Sequence, residues 1–182
     1  MHNLDDSSRR LIGQAERLLG GGYLEEEVIQ GAARSIPDIA PNVISWLHHF
    51  RSEQDWRRLE KFSEVARVLH PEGLGAILCD VLDSDSDGVL KEDLIEILGE
   101  IEYSEAVPVI EKVLRDSVLS DAPYYLLCVK CIHSLGRIGT AAARDVLHQF
   151  VDSAWPDQIR WHSAVELEIE EELGFDEDEM LG

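Results

Sequence analysis

The sequence predicts an all-α protein, an α-α superhelix of about nine or ten helices arranged as stacked antiparallel pairs. Three features carry that expectation. Apolar residues recur at three- and four-residue steps through nearly every segment, and no segment alternates as a strand does. In the second half, a whole helix-pair pattern returns after 37 residues.

The elements follow in chain order. Leu11, Ile12, Ala15, Leu18 and Leu19 mark a first helix, stopped by Gly20-Gly21-Gly22, where the backbone can turn left-handed. Leu24, Val28, Ala32 and Ile36 mark a second, ended by Pro37. Pro41 opens a third, with Val43, Ile44, Leu47 and Phe50 on its apolar face. Ser52 is the expected N-cap of a fourth, carrying Trp56, Leu59, Phe62, Ala66 and Leu69. Pro71 closes that helix and begins a short fifth with Leu74, Ile77, Leu78, Val81 and Leu82. A helix from Leu90 to Glu102 follows, its core set being Leu90, Leu94, Ile97, Leu98 and Ile101.

From here the chain repeats itself. Leu98-Gly99-Glu100-Ile101, followed by Ala106, Val109, Ile110, Val113 and Leu114, returns 37 positions later as Leu135-Gly136-Arg137-Ile138, followed by Ala143, Val146, Leu147, Phe150 and Val151. A third copy is expected to begin at Leu173-Gly174, 38 positions after Leu135. A looser copy pairs Leu74, Ile77, Leu78 and Leu82 with Ala106, Val109, Ile110 and Leu114 at a spacing of 32. One helix pair cannot bury its own apolar face, so pairs stack and share a core.

Two runs carry a family resemblance. Ile95-Glu96-Ile97-Leu98-Gly99-Glu100-Ile101 with Glu105-Ala106-Val107-Pro108-Val109-Ile110, and Cys131-Ile132-His133-Ser134-Leu135-Gly136-Arg137-Ile138-Gly139, resemble short bacterial HEAT repeats, the phycobilisome-lyase-like subtype included. The resemblance runs from about Val65 to Phe175. It departs from the family pattern in lacking an Arg within Glu92–Leu98 and in the long connection Arg115–Ala122. It implies a single solenoid domain over residues 1–182, with a divergent helical cap at 1–64, HEAT-like repeats at 65–175 and an acidic tail at 176–182. It also implies that the second helix of each pair lines a concave, partner-binding side.

Charge narrows the function classes. The 182 residues carry 37 acidic and 16 basic side chains, a formal net charge of −21, with 45% hydrophobic residues. Residues 1–70 hold 11 acids and 9 bases, whereas residues 71–182 hold 26 acids and 7 bases. Nucleic-acid binding needs clustered Lys and Arg and is therefore not expected. No apolar run is long enough to span a bilayer, the first residues lack a signal-peptide pattern, and three cysteines suit a reducing compartment. A cytoplasmic protein with no membrane partner is the expectation.

The repeat aligns one helix face with the next. Opposite the core of the Leu90–Glu102 helix stand Asp93, Glu96 and Glu100. Adding 37 gives Lys130, His133 and Arg137; adding a further 38 gives Glu168, Glu171 and the backbone near Phe175, with Glu172 one position after Glu171. The surface then reads acidic, basic, acidic. Either Lys130 and Arg137 bridge to acids on the flanking helices, each exposed pair contributing about 0–1 kcal/mol, or the stripe steers a basic partner toward itself. Glu166, Glu168, Glu170, Glu171 and Glu172, with Asp176–Glu179, outnumber the bases and favour the second reading.

Other motifs fall away on inspection. Asp83, Asp85, Asp87 and Gly88 begin like a calcium loop, but its twelfth position is apolar Leu94. Cys128 and Cys131 have a metal-site spacing yet lie inside a helical run with no second cysteine pair, so buried apolar roles fit better. No metal site, cofactor or catalytic residue is expected. Trp155 next to Pro156 suits a staple for the last helix, and Trp161 suits an exposed interface anchor. The expectation is a non-catalytic protein–protein interaction module whose acidic helix face binds a basic protein, in its narrowest form an inhibitor or immunity protein of a toxin. The resemblance supplies the alternative, a bilin lyase or lyase subunit. A HEAT-type DNA repair enzyme would need a basic groove.

Overall fold

A computed structural model describes residues 4–22, 24–84 and 86–175. Among these residues there are ten α-helices, one 3-10 turn and no strand. No helix among them is long and apolar enough to cross a membrane. The chain divides into two compact units, Met1–Leu90 and Lys91–Gly182. The Asp176–Glu179 acids and Asp85 of the calcium-like loop lie outside the described residues.

The first unit holds α1 (Asp6–Leu19), α2 (Glu26–Ser35), α3 (Ile39–Ser52), α4 (Trp56–Leu69) and α5 (Leu74–Asp83). Asp5 caps α1 by accepting from the Ser8 N–H at 2.7 Å, and Gly20 ends it with φ 68°. Alternate helices pack together, α1 on α3 and α3 on α5, with α2 on α4. Trp46, Phe50 and Phe62 make the centre of this core: Phe62 sits edge-on to Trp46 at 5.6 Å and 5.4 Å from Phe50. Arg51 on α3 bridges to Asp80 on α5 at 3.0 Å, and Arg58 on α4 to Glu16 on α1 at 2.8 Å.

Ser52 is not the cap of α4. It is the last residue of α3, and its hydroxyl donates to the His49 carbonyl. Asp55 takes the capping role because its carboxylate accepts from the Arg58 N–H, the three-residue reach that an N-cap needs. The buried stripe of α2 is Ile29 and Ala32, one residue out of step with the expected Val28. Leu90, expected in the core, precedes α6 and is 56% exposed.

The second unit holds α6 (Lys91–Glu100), the 3-10 turn Ser104–Ala106, α7 (Val107–Ser117), α8 (Leu126–Ile138), α9 (Ala141–Phe150) and α10 (Asp157–Leu167). Consecutive helices from α7 onward pack on each other, α8 lies between α6 and α10, and α7 lies beside α9. Two layers result, α6/α8/α10 and α7/α9, the alternate stacking of a helix-pair repeat. Leu94, Ile95, Ile97 and Leu98 of α6 are buried, as are Ile132, Leu135 and Ile138 of α8. Gly139 ends α8 with φ 62°, its N–H donating to the Leu135 carbonyl, and Thr140 caps α9 through the Ala143 N–H.

Gly99 makes the α6–α8 approach possible. A Cβ there would lie 2.8 Å from the Cα, Cβ and Oγ of Ser134, too near for any side chain. Ser134 is buried, and its hydroxyl donates to the Ile95 carbonyl at 2.9 Å, tying the two backbones together. Gly13 differs: nothing lies within 4 Å of its Cβ direction in mid-α1. Gly99→Ala should therefore destabilise the fold by about 1–3 kcal/mol. Gly13→Ala should stabilise it by ~0.5–1 kcal/mol through helix propensity alone. Urea unfolding followed by circular dichroism checks both; equal effects of the same sign would contradict the packing described.

Candidate functional site

The site surface belongs to α6, α8 and α10 in the second unit. Contacts rise together in residue number: Glu96 with Lys130, Glu100 with Arg137, then the Tyr124 carbonyl with Gln158 and His133 with Glu166. The three helices therefore run parallel, and their C-terminal ends gather on one rim. Helix C-termini carry partial negative charge. Neither α6 nor α10 has a basic residue in its last turn, and α8 has Arg137 there.

The bases of α8 are committed to neighbouring acids. Lys130 Nζ donates to Glu96 Oε2 at 2.5 Å, and Arg137 lies 3.6 Å from Glu100. His133 Nδ1 lies 2.5 Å from Glu166 Oε1. Cross-helix pairing of the kind weighed against recognition is thus present, and it engages Lys130, His133 and Arg137 together. These pairs are partly exposed and each contributes about 0–1 kcal/mol.

The third register shifts. Glu168, Glu171 and Glu172 do not continue α10. Glu168 is its C-cap in left-handed conformation (φ 60°, ψ 38°), and Glu171 and Glu172 lie in the turns that follow, all three exposed. Leu173-Gly174 falls beyond the helix, so the expected third copy is absent there. The last residues of α8 and α10, Ile138 and Leu167, are 29 positions apart. Two effects end the helix at this point. The Ile169 N–H bonds the Ala164 carbonyl, closing the last turn. Further helix would stack Glu166 over Glu170 and Glu168 over Glu172 at a negative helix end, which like charges oppose.

Asp93 is exposed in the first turn of α6, where a carboxylate is favoured, so it stands at the opposite end of the stripe from the rim. Trp161 is partly buried, and its ring lies tilted against that of His162 with centroids 4.6 Å apart. Glu166, which the sequence offers only as one of several acids, and His162, which it does not offer, join the site. Glu166 lies directly against Gly136, where a side chain would collide with its carboxylate. His162 stands edge-on to His133 at 5.4 Å. Contacts across the stack fall 34 residues apart at Lys130–Glu96 and 33 at His133–Glu166, short of the repeat, whereas Arg137–Glu100 keeps the full 37, so the interval alone does not point to Glu166.

Among the described residues, no group of three or more His, Cys, Asp or Glu side chains is arranged to hold a metal ion. Cys128 and Cys131 are buried. Burial, reinforced by Asp121, pushes the Cys128 thiol up to about 12 and holds Cys131 well above its ordinary value too. Both thiols stay protonated near neutrality and serve as small apolar side chains.

Burial first, and the facing His133 second, lower the His162 imidazole below its ordinary value, while Glu166 opposes the shift. An unfolded imidazole titrates near 6.5, about its ordinary value, so below that pH the unfolded chain takes up the proton before the folded one. Stability attributable to His162 is complete above that pH and declines as pH falls through it. His162→Phe should flatten the stability profile between about pH 7.5 and 5. An NMR titration of the wild type should place the His162 midpoint below about 6.5; a midpoint above it would contradict the burial described.

A family model described as HEAT repeats matches residues 75–168, from the first turn of α5 to the C-cap of α10, just over half of the chain. The match stops short of Leu173-Gly174, and α10 is the last helix among the described residues. No curated protein and no solved structure matches the chain. HEAT repeats generally mediate protein–protein interaction. With its alternate helix stacking and this match together, the chain belongs to the HEAT-repeat family.

Proposed function

We propose that the chain is a non-catalytic protein-binding module that captures a basic protein on the carboxylate-rich rim at the C-terminal ends of α6, α8 and α10. One observation carries the reading. Glu102, Glu168, Glu171 and Glu172 are exposed around that rim with no base opposite them among the described residues, while Arg137 is engaged with Glu100. Carboxylates crowded against negative helix ends are mutually repulsive, and a cationic surface relieves that repulsion on contact. Lys130, His133 and Arg137 act as positioning residues that hold the stack together, and Asp93, Glu96 and Glu100 extend the negative field along it. In its narrowest form the partner is a basic toxin and the module is its inhibitor or immunity protein, acting in the cytoplasm.

The test combines salt and charge reversal. Immobilised full-length protein should retain a basic protein from native lysate, and retention should weaken steeply between about 0.05 and 0.5 M salt, where the Debye length falls several-fold. The triple variant Glu168→Lys, Glu171→Lys, Glu172→Lys should slow association by about tenfold or more. Its circular dichroism should stay unchanged, because these residues lie outside the helices. Unaltered association and unaltered salt dependence in the triple variant would remove the rim from the interface.

A further inference from the structure

The connection between α7 and α8, taken with Leu126 at the start of α8, concentrates exposed apolar side chains more than any other segment among the described residues. Leu119 is 94% exposed, Tyr124 72% and Leu126 64%. Of the eight large hydrophobic side chains exposed among the described residues, these three fall within eight consecutive positions. Apolar residues scattered singly over a surface need no explanation, but a local concentration does.

The segment is braced along its length. The Ser120 and Asp121 N–H groups donate to the Ser117 carbonyl at 3.0 and 2.9 Å, and the Tyr125 N–H to the Asp121 carbonyl at 2.8 Å. Asp121 Oδ2 accepts from the Cys128 N–H at 2.8 Å, and Gln158 on α10 donates to the Tyr124 carbonyl at 3.3 Å. Val118 and Cys128 anchor both ends in the core. A backbone fixed in this way has little conformational entropy of its own left to lose when its side chains are covered.

Charge narrows what can cover them. Residues 116–127 contain Asp116 and Asp121 and no base, within a chain of net charge −21. An anionic bilayer would be repelled, and so would a second copy of the chain. A protein whose apolar cleft is bordered by Lys or Arg matches both properties. We infer that Leu119, Tyr124 and Leu126 form a preorganised apolar anchor that inserts into the basic-rimmed cleft of a protein partner. This rests on the reading that the chain binds a basic protein, but it uses a different surface. The anchor lies at the N-terminal end of α8 and the acidic rim at its C-terminal end, and the 13 residues of α8 span about 20 Å between them. Charge at one end sets the approach, and apolar insertion at the other sets the residence time.

Kinetics separate the two surfaces. The basic protein retained by the wild type is identified by mass spectrometry and purified. Its binding is then measured against wild type, Leu119→Ser/Tyr124→Ser/Leu126→Ser, and the rim triple variant, each first checked for an unchanged circular dichroism spectrum. The anchor variant should dissociate about tenfold faster or more, with association within about twofold of wild type; the rim variant should show the reverse. Residues 118–126 should also gain hydrogen-exchange protection in the complex. An unchanged dissociation rate overturns the anchor and leaves the rim reading intact, whereas retention of no basic protein overturns both. Sedimentation showing self-association that the serine variant abolishes would overturn the inference in favour of a second copy. Co-sedimentation with phosphatidylcholine or phosphatidylserine vesicles, lost in the same variant, would overturn it in favour of a membrane.

Discussion

The backbone of α8 lies so close to α6 that position 99 admits no side chain, and the Ser134 hydroxyl fills the contact by bonding the Ile95 carbonyl. On the other flank, Gly136 leaves room for the Glu166 carboxylate of α10. Close approach on both sides fixes α8 as the middle of a parallel triplet, and most features of the second unit follow from it. Parallel helices bring like ends together, so three negative helix termini meet at one rim. Facing side chains come within bridging distance, which engages the few bases available. A larger residue at either glycine would separate the helices and dissolve the register that the charges depend on.

Much of this architecture was legible in the sequence, and the exceptions have identifiable causes. The Leu-Gly pairs at 98–99 and 135–136 mark equivalent positions in neighbouring helices because both glycines stand where the next helix presses closest. The same dipeptide at 173–174 means something else: Gly174 is in a turn with φ 74°, past the end of α10. A two-residue motif does not carry the preceding charge crowding that stopped the helix. Ser52 and Asp55 are both good capping residues, and only the position of the helix start, with Arg58 three residues after Asp55, distinguishes them. Periodicity placed Leu90 on an apolar face, but a periodic residue is buried only if the helix reaches it, and α6 begins at Lys91.

The candidate site was legible as a composition and less so as a set of contacts. An interval of 37 residues gives equivalent positions, so Lys130 corresponds to Asp93. Contact depends also on the stagger of the helices and on side chains leaning toward their own N-terminus, so Lys130 meets Glu96 instead. A similar offset joins His133 to Glu166. The exposed apolar side chains of the α7–α8 connection were visible only as an unusually long link, since sequence gives no measure of which apolar residues a turn leaves in water.

Together these features divide labour along one helix. Bases on α8 neutralise acids that would otherwise repel one another between helices, and the acids beyond their reach remain exposed at the rim. The most direct test of that division is a charge swap across the α6–α8 contact. Lys130→Glu alone should lower stability by up to about 1 kcal/mol, because it sets two carboxylates face to face. Adding Glu96→Lys should restore the unfolding midpoint, since the pair is rebuilt with its polarity reversed, and should leave affinity for the proposed basic partner at the wild-type level, since the rim is untouched. A swapped protein that regains stability but fails to bind its partner would mean that Lys130 itself touches the partner, and the division proposed would be wrong.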